Sequence, residues 1–397
     1  MLILEYKLRT NHAQRAAIDE AIRTAQFIRN KCLRAWMDTR GVSGYDLQAL
    51  CSQLALQYPF AAKLDAQARQ ASADRAWQAI VRFFKNCREH KPGKKGYPRF
   101  QHDNRSVEYK VCGWKLGADG THIRFSDRHA IGTLRLIGSR SIEAFPTAQI
   151  KRVRILKRAD GYYCQFAIQA ERQMAHEPTG VQVGIDMGLK SFSTDSEGGA
   201  IENPRFLRKA ETKLKRLHRR KDRKQKGSKN RRKAIQRLAK GYLKVSRQRQ
   251  DFACKQARAL IISHDMIAYE DLQIANLVKH HHLAKSISDA AWGQFLGWLR
   301  YCGHIANVPV VAVSPRFTTQ DCSGCGERVR KSLSTRTHVC PRCGLVLDRD
   351  RNAALNILAS TLRTAGQAET STLRRANASG QGTAGERKRL RLVKSAG

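Results

Sequence analysis

The sequence predicts a multidomain chain of mixed α/β and α+β class: an N-terminal β-barrel with a helical domain inserted between its strands, then a second strand-and-helix domain that carries a small four-cysteine lobe. Three observations predict it. Alternating apolar residues at the N-terminus give way to apolar residues at helical spacing and then return to strand patterning. A second group of apolar strands begins at Val181 and leads into a long basic stretch with a heptad-like apolar seam. Four cysteines stand as two C-x2-C pairs separated by 14 residues. The length, 397 residues, suits roughly two to three domains.

Taken in order, Leu2, Leu4, Tyr6 and Leu8 alternate as a strand with one buried face. Asn11 is the expected N-cap of a helix in which Ile18, Ala21, Ala25, Ile28, Cys32 and Trp36 recur at spacings of three and four. A later helix carries Ala73, Trp77, Ile80, Phe84 and Cys87. After the basic loop from Lys91 to Pro98, strands are expected over 107–112, around Ile123, over 134–137, and as a hairpin of 150–156 with 162–168. Residues 1–172 are thus assigned to the barrel, with inserted helices at about 11–90, and 173–180 to a linker. The second domain takes 181–314 and 345–362, including a basic helical hairpin over 205–262; the four-cysteine lobe takes 315–344. Residues 363–397, rich in Gly, Ala, Ser and Thr and containing Arg387-Lys388-Arg389-Leu390-Arg391, read as a disordered basic tail.

Charge narrows the function. There are 74 Lys and Arg against 33 Asp and Glu, a net +41 with a sequence pI near 10.5. Self-repulsion on that scale implies a polyanionic partner, since phosphates relieve it and release counterions on binding. From Arg205 to Arg258 there are 23 Lys and Arg against Glu211, Asp222 and Asp251, a net +20. Leu207, Ala210, Leu214, Leu217, Ile235, Leu238, Tyr242, Val245, Phe252 and Ala259 form the seam beneath that charge, so two long helices pair and leave basic faces for phosphate. A further +6 lies from Ala359 onward. A hydrophobic fraction of 41% excludes a wholly disordered polycation. Composition is compatible both with a ribosomal or packaging protein and with an enzyme acting on nucleic acid, and does not separate them. No uncharged run reaches the roughly 18 residues of a membrane span, and Met1 to Lys7 lacks the order of a secretory signal. The expected location is cytoplasmic, and nucleoid-associated when bound to DNA.

Eleven cysteines in such a chain argue against a disulfide framework. Cys32, Cys51, Cys87, Cys112, Cys164, Cys254 and Cys302 are scattered and read as small buried hydrophobes. Cys322, Cys325, Cys340 and Cys343 have the spacing of two zinc knuckles, with Gly326 and Gly344 where each tight turn needs them. Four thiolates leave no open position for water, so the expected zinc is structural. His280-His281-His282 is excluded from any metal site, because consecutive side chains do not readily converge on one ion.

Against so many cations, acids in apolar strands need an explanation. Asp186 ends an apolar strand from Val181, Glu270 ends Met266-Ile267-Ala268-Tyr269, and Asp350 precedes a short amphipathic helix. Singly, Asp350 could cap its helix, Glu270 could pair with an Arg, and Asp186 could merely end a strand. Brought together they would raise one another's pKa unless a cation neutralised them, and hard oxygens suit Mg²⁺ or Mn²⁺, which as a pair can cleave phosphodiesters.

Three segments, Val183-Gly184-Ile185-Asp186-Met187-Gly188, Ala268-Tyr269-Glu270-Asp271-Leu272 and Leu347-Asp348-Arg349-Asp350-Arg351-Asn352-Ala353-Ala354, resemble the three motifs of a RuvC-like nuclease of the RNase H fold. With the basic hairpin after the first motif and the knuckles between the second and third, the chain resembles the transposon-encoded TnpB (OrfB) family, related to the type V CRISPR effectors. Lys94 to Phe100, Ser286 to Phe295 and Ser314 to Gln320 extend the resemblance, which covers roughly residues 1–362. It implies an RNA-guided DNA endonuclease whose N-terminal barrel and helices hold guide RNA and inspect a short DNA flank while base pairing reads the target. It further implies Asp186, Glu270 and Asp350 as a catalytic, Mg²⁺- or Mn²⁺-binding triad, with Asp350 favoured over Asp348, and the four cysteines as ligands of one structural Zn²⁺. Two other readings remain: a transposase that itself catalyses strand transfer, for which no tyrosine nucleophile with a paired histidine motif is apparent, and a non-catalytic nucleic-acid-binding regulator.

Overall fold

The computed structural model describes residues 1–332 and 334–378, with 364–378 as helical backbone alone. The chain divides into two compact units, Met1–Arg172 with Gly227–Lys240, and Gln173–Lys226 with the chain from Gly241 onward. No helix among the described residues is long and apolar enough to cross a membrane.

In the first unit, strand β1 (Leu2–Arg9) leads into helices α1 (His12–Asp38), α2 (Gly44–Gln57), α3 (Pro59–Ala62) and α4 (Ala66–Arg88). Strands β2 (Ser106–Tyr109), β3 (Trp114–Leu116), β4 (His122–Phe125), β5 (Thr133–Ile137), β6 (Ile150–Arg158) and β7 (Gly161–Ile168) follow. All seven strands join one antiparallel sheet in the order β2-β6-β7-β1-β5-β4-β3. Strand β1 is central, paired to β7 from Leu2↔Ile168 to Leu8↔Tyr162 and to β5 at Lys7↔Ile137, and it buries Leu4, Tyr6 and Leu8. The Tyr109 ring on β2 lies 4.7 Å from Phe125 on β4, and Trp114 on β3 lies 6.2 Å from Phe166 on β7. The sheet therefore curls over a shared core, although the described pairings do not join β2 to β3 into the closed barrel expected.

The helices enter between β1 and β2. Asn11 Oδ1 accepts from Gln14 N at 2.8 Å while Gln14 Oε1 accepts from Asn11 N at 3.0 Å, a capping box that starts α1. Ile18, Ala21, Ala25, Ile28 and Cys32 then form its buried stripe. Asn30 exchanges two hydrogen bonds, 2.8 and 2.9 Å, with the Gln101 backbone, fastening the end of the basic loop to α1. Glu108 on β2 is buried between Arg152 and Arg154 of β6, with Arg152 Nη1 donating at 2.8 Å.

In the second unit, β8 (Gln182–Met187), β9 (Ser191–Asp195) and β10 (Ala200–Glu202) form an antiparallel meander. Helix α5 (Phe206–Asp222) and helix α6 (Lys229–Ser263), of which the part from Gly241 onward belongs to this unit, precede β11 (Met266–Glu270). Then come α7 (Ile274–Leu277), α8 (Ala284–Ala290), α9 (Trp292–Ala306) and β12 (Val310–Val313), and finally β13 (Thr337–Val339), β14 (Val346–Asp348) and α10 (Arg349–Ala378). The sheet order is β10-β9-β8-β11-β12, with β11 parallel to both β8 and β12. Val183, Ile185, Phe192, Ile267, Phe295 and Leu299 lie in its core.

Helices α5 and α6 run antiparallel: Phe206 faces Phe252 at 6.0 Å, and His218 Nε2 lies 2.9 Å from the Tyr242 hydroxyl. Of the predicted seam, Leu214, Leu238 and Val245 are buried, whereas Ile235 and Tyr242 are exposed. Gly241 lets the helices approach, since a Cβ there would stand 2.9 Å from Leu214.

Three sequence expectations need correction. Cys112 is exposed and Cys87 and Cys254 are half-buried, because each falls at a loop or helix surface rather than on an apolar stripe. Strand β14 pairs with β13 and not with the five-stranded sheet, so the cysteine lobe extends past residue 344 to Asp348. Helix α10 continues to Ala378, beyond the expected start of a disordered tail at 363, as its Ala, Leu, Gln and Arg content permits; residues 379–397 of that tail lie outside the described residues.

Candidate active site

Parallel pairing places two of the three acids. Ile185 on β8 is registered with Tyr269 on β11, so the next residues, Asp186 and Glu270, stand level on adjacent strands and on one face. Both are buried, 8% and 7% exposed. The third acid arrives on α10, which packs across β8 at Gly184. A Cβ at Gly184 would come within 2.1 Å of the Ala354 carbonyl oxygen, so only glycine admits this contact. The glycine two residues before Asp186 is thus what brings the first turn of α10 over the strand ends.

Asp348 and Asp350 take different roles. Asp348 Oδ1 accepts from Asp350 N at 2.8 Å and from Arg351 N at 3.3 Å, the bonds of an N-cap. Asp350 is therefore released from capping and stands beside Arg349, at 3.1 Å, and Arg336, at 3.7 Å.

The electrostatics follow from this crowding. Burial pushes the Asp186 carboxyl up to about 8, with the charges of Glu270, Asp350 and Asp348 adding to the shift and Arg349 opposing it. Burial also raises Glu270, against the hydrogen bond donated by the Thr318 hydroxyl. Among the described residues, Asp186 has no hydrogen bond or ion pair from its carboxylate, and an ionised acid in such a place calls for a cation. Hard oxygens from three separate elements fit a divalent ion. They are not drawn up as tightly as the cysteines: among the described residues, the one group of ligand atoms lying within 4.8 Å of each other is Cys322, Cys325, Cys340 and Cys343.

That cysteine group has the dimensions of a metal centre. Cys322 Sγ lies 3.6 Å from Cys343 Sγ, and Cys325 Sγ lies 3.5 Å from Cys340 Sγ. A tetrahedron with metal–sulfur bonds of about 2.3 Å has edges of about 3.8 Å. The two knuckles repeat each other: Gly326 N donates to Cys322 O at 2.9 Å and Gly344 N to Cys340 O at 3.0 Å, both glycines in left-handed backbone. Backbone N–H groups of Cys343 and Arg342 pull the Cys340 thiol down, whereas Cys325, despite a backbone N–H from Glu327, is pushed up by burial and by the neighbouring cysteine sulfurs.

The two sites share supports that motif reading alone did not assign. Asn352 is fully buried; its Oδ1 accepts from Ser323 N at 3.0 Å and its Nδ2 donates to Asp321 O at 2.8 Å. Asn356 Nδ2 donates to Thr318 O at 2.8 Å, and Thr318 holds Glu270. The first cysteine knuckle is thereby bolted to the helix that carries Asp350 and to the threonine that holds Glu270. His280, His281 and His282 are exposed and join no metal group among the described residues.

Comparison with known proteins places this arrangement. Residues 165–281 match the OrfB family of IS605 elements, described as a probable transposase, and residues 292–357 match the TNB domain of Cas12f1-like proteins. A protein of Streptomyces pristinaespiralis provisionally named an RNA-guided DNA endonuclease is 38% identical over 186 residues, 46% of each chain. InsQ of Escherichia coli K12, provisionally named the same way, is 27% identical over 281 residues, 66% of this chain and 68% of that one. The TnpB-like protein L79 of Acanthamoeba polyphaga mimivirus is 29% identical over 137 residues, 33% of this chain and 26% of that one. The chain spans about half the length of the Streptomyces relative and about two thirds of InsQ. In fold, the chain is similar to Cas12f1 in its complex with guide RNA and target DNA (TM-score 0.52, 15% identity, 87% of this chain and 82% of that one). It is likewise similar to the mini-RNA-guided endonuclease CRISPR-Cas phi3 (TM-score 0.54, 10% identity, 90% and 92%). With the matched segments spanning β7 to the first turns of α10, the chain is similar in sequence to the TnpB (OrfB) family and, over the cysteine lobe, to Cas12f1-like proteins.

Proposed function

We propose that this chain is a transposon-encoded, RNA-guided DNA endonuclease that hydrolyses phosphodiester bonds at Asp186, Glu270 and Asp350. The observation that carries the reading is the buried, partnerless carboxylate of Asp186 beside Glu270 and Asp350. In this reading the second unit is a RuvC-like nuclease of the RNase H fold, consistent with its strand order β10-β9-β8-β11-β12 and its parallel β8, β11 and β12. What a pair of Mg²⁺ or Mn²⁺ ions would supply there is an activated water and charge neutralisation at the leaving oxygen.

The chain's own groups prepare that site. Strands β8 and β11 hold two carboxylates rigidly, and α10 brings the third while Asp348 satisfies its N-terminal amides. Thr318 fixes one oxygen of Glu270 and leaves the other free to ligate. One Zn²⁺ on Cys322, Cys325, Cys340 and Cys343 holds the lobe that, through Asn352 and Asn356, supports both Asp350 and Thr318. The cationic faces of α5 and α6 bind nucleic-acid backbone. The curled sheet and helices of the first unit, read as a barrel with its inserted domain, hold guide RNA and inspect the DNA flank, while base pairing selects the target.

The test is cleavage by protein purified with its co-expressed RNA, on matched, mismatched and flank-altered DNA, with Mg²⁺ or EDTA. Matched DNA is cut only with Mg²⁺, and Asp186→Ala lowers the rate by about 10³-fold or more. Cutting that ignores guide sequence, or that survives Asp186→Ala, would sink the reading.

A further inference from the structure

Beside the carboxylates lies a cleft that the triad does not explain. It measures about 290 Å³ and is lined by Lys190, Asn203, Arg205, Arg208, Asp289 and Arg336 among others. Four cations thus meet one acid, and that acid is already engaged: Asp289 Oδ1 accepts from Leu207 N at 2.8 Å and from Arg249 at 2.9 Å, and Oδ2 accepts from Arg208 N at 3.0 Å. Asp289 caps α5 from another element, so it cannot also neutralise the side chains of Lys190, Arg205 and Arg208. Arg336 connects the cleft to the acids, its guanidinium lying 3.7 Å from the Asp350 carboxylate.

Arg205 adds an independent observation. Its backbone is left-handed, φ 48° and ψ 47°, a region that glycine enters freely and arginine does not. Its side chain makes no capping bond to the helix it precedes. The strain is thus not compensated by capping, and the residue that carries it lines the cleft. Strain kept without a local structural return is a mark of functional positions.

We propose that this cleft is a phosphate-binding subsite that grips one backbone phosphodiester of the DNA strand entering the carboxylate site, with Arg205 and Arg208 as its principal donors. Arginine forks suit a phosphate's paired oxygens, and Asn203, whose Oδ1 accepts from Arg205 N at 3.2 Å, sets the loop that presents them. The proposal rests on the nuclease reading: it specifies how that site holds its substrate strand.

The test replaces single phosphates of the matched DNA strand by uncharged methylphosphonates, one position at a time, with wild-type protein and with Arg205→Gly/Arg208→Gln, each purified with its RNA. For wild type, one neutral linkage near the cut raises KM about tenfold, the worth of one charge-assisted contact. The double variant has that higher KM on unmodified DNA, and the same linkage then costs it less than about twofold. Because glycine relieves the left-handed strain, Arg205→Gly alone melts no lower than wild type while its KM rises, an outcome a merely structural arginine would not give. A cleaving wild type with a flat scan, a double variant as sensitive as wild type at every position, or a variant that loses guide RNA instead of the DNA contact overturns the proposal. If wild type cuts no matched DNA, the nuclease reading fails by itself. The same scan read by DNA binding without divalent cation then decides the subsite, since equal loss in wild type and double variant refutes it.

Discussion

Glu108, on an edge strand of the first unit's sheet, and Asp186, on the middle strand of the second unit's, are both buried carboxylates, and the chain treats them in opposite ways. Burial would raise Glu108, but the hydrogen bonds and charges of Arg154 and Arg152 outweigh it and hold the group below its usual value. Asp186 receives no such hydrogen bond from the described residues; burial, with Glu270, Asp350 and Asp348 outweighing the charge of Arg349, pushes it up to about 8. A chain with 74 Lys and Arg has no shortage of cations to place beside Asp186. That acids outnumber cations around Asp186 separates it from the structural ion pair of Glu108; in the nuclease reading proposed above, a metal ion completes the site.

Asp186→Asn sharpens the contrast most. Cleavage falls by about 10³-fold or more, while the metal-free protein melts at the same temperature or higher, because a buried like-charge repulsion has been removed. A lower melting point accompanying the activity loss would make Asp186 a structural acid like Glu108. Glu108→Gln should do the reverse. Its arginine partners are 40% and 41% exposed, so water takes over part of the lost pairing; the expected destabilisation is about 1–2 kcal/mol, read from denaturant unfolding, with little change in rate per folded molecule.

The smallest effect is on pH dependence, and its signs are opposed. Glu108, lowered in the folded state, contributes stability above its ordinary value of 4.5 that is lost as pH falls through the folded value. Asp186, raised in the folded state, contributes stability that is fully present below 3.8 and lost as pH rises toward about 8. Metal-free unfolding curves of wild type and Asp186→Asn should therefore diverge between those values, with wild type the more pH-sensitive, and saturating Mg²⁺ should close the gap. Parallel curves would remove Asp186 from the metal-site account.

Legibility followed how local each feature is. The four cysteines could be read from spacing because each knuckle closes within a few residues, and their sulfurs do converge. The strands carrying Asp186 and Glu270 were legible from their apolar runs, whereas of the hairpin's seam Leu214, Leu238 and Val245 are buried and Ile235 and Tyr242 are exposed. What the sequence could not separate was Asp348 from Asp350 on bonding grounds, since the N-cap bonds to Asp348 exist only once α10 forms. Thr318, Asn352 and Asn356 were equally silent, because their roles depend on partners 29 to 48 residues away. Gly184 had a signal, a glycine inside an apolar strand, whose reason is the backbone of α10. The cleft at Arg205 left no sequence trace, as one more arginine in a basic stretch is invisible until its backbone is seen to be left-handed.

The central claim is that Asp186, Glu270 and Asp350 together wait for a divalent cation. Titrating Mn²⁺ into the zinc-loaded protein at pH 7, with bound Mn²⁺ followed by electron paramagnetic resonance and protons by a weakly buffered indicator, tests it directly. A carboxyl pushed up to about 8 is mostly protonated at that pH, so binding must expel close to one proton. The account predicts saturable Mn²⁺ binding with proton release in wild type, and loss of both in Asp186→Ala. Mn²⁺ binding of equal strength in Asp186→Ala, or binding in wild type with no proton released, would contradict it.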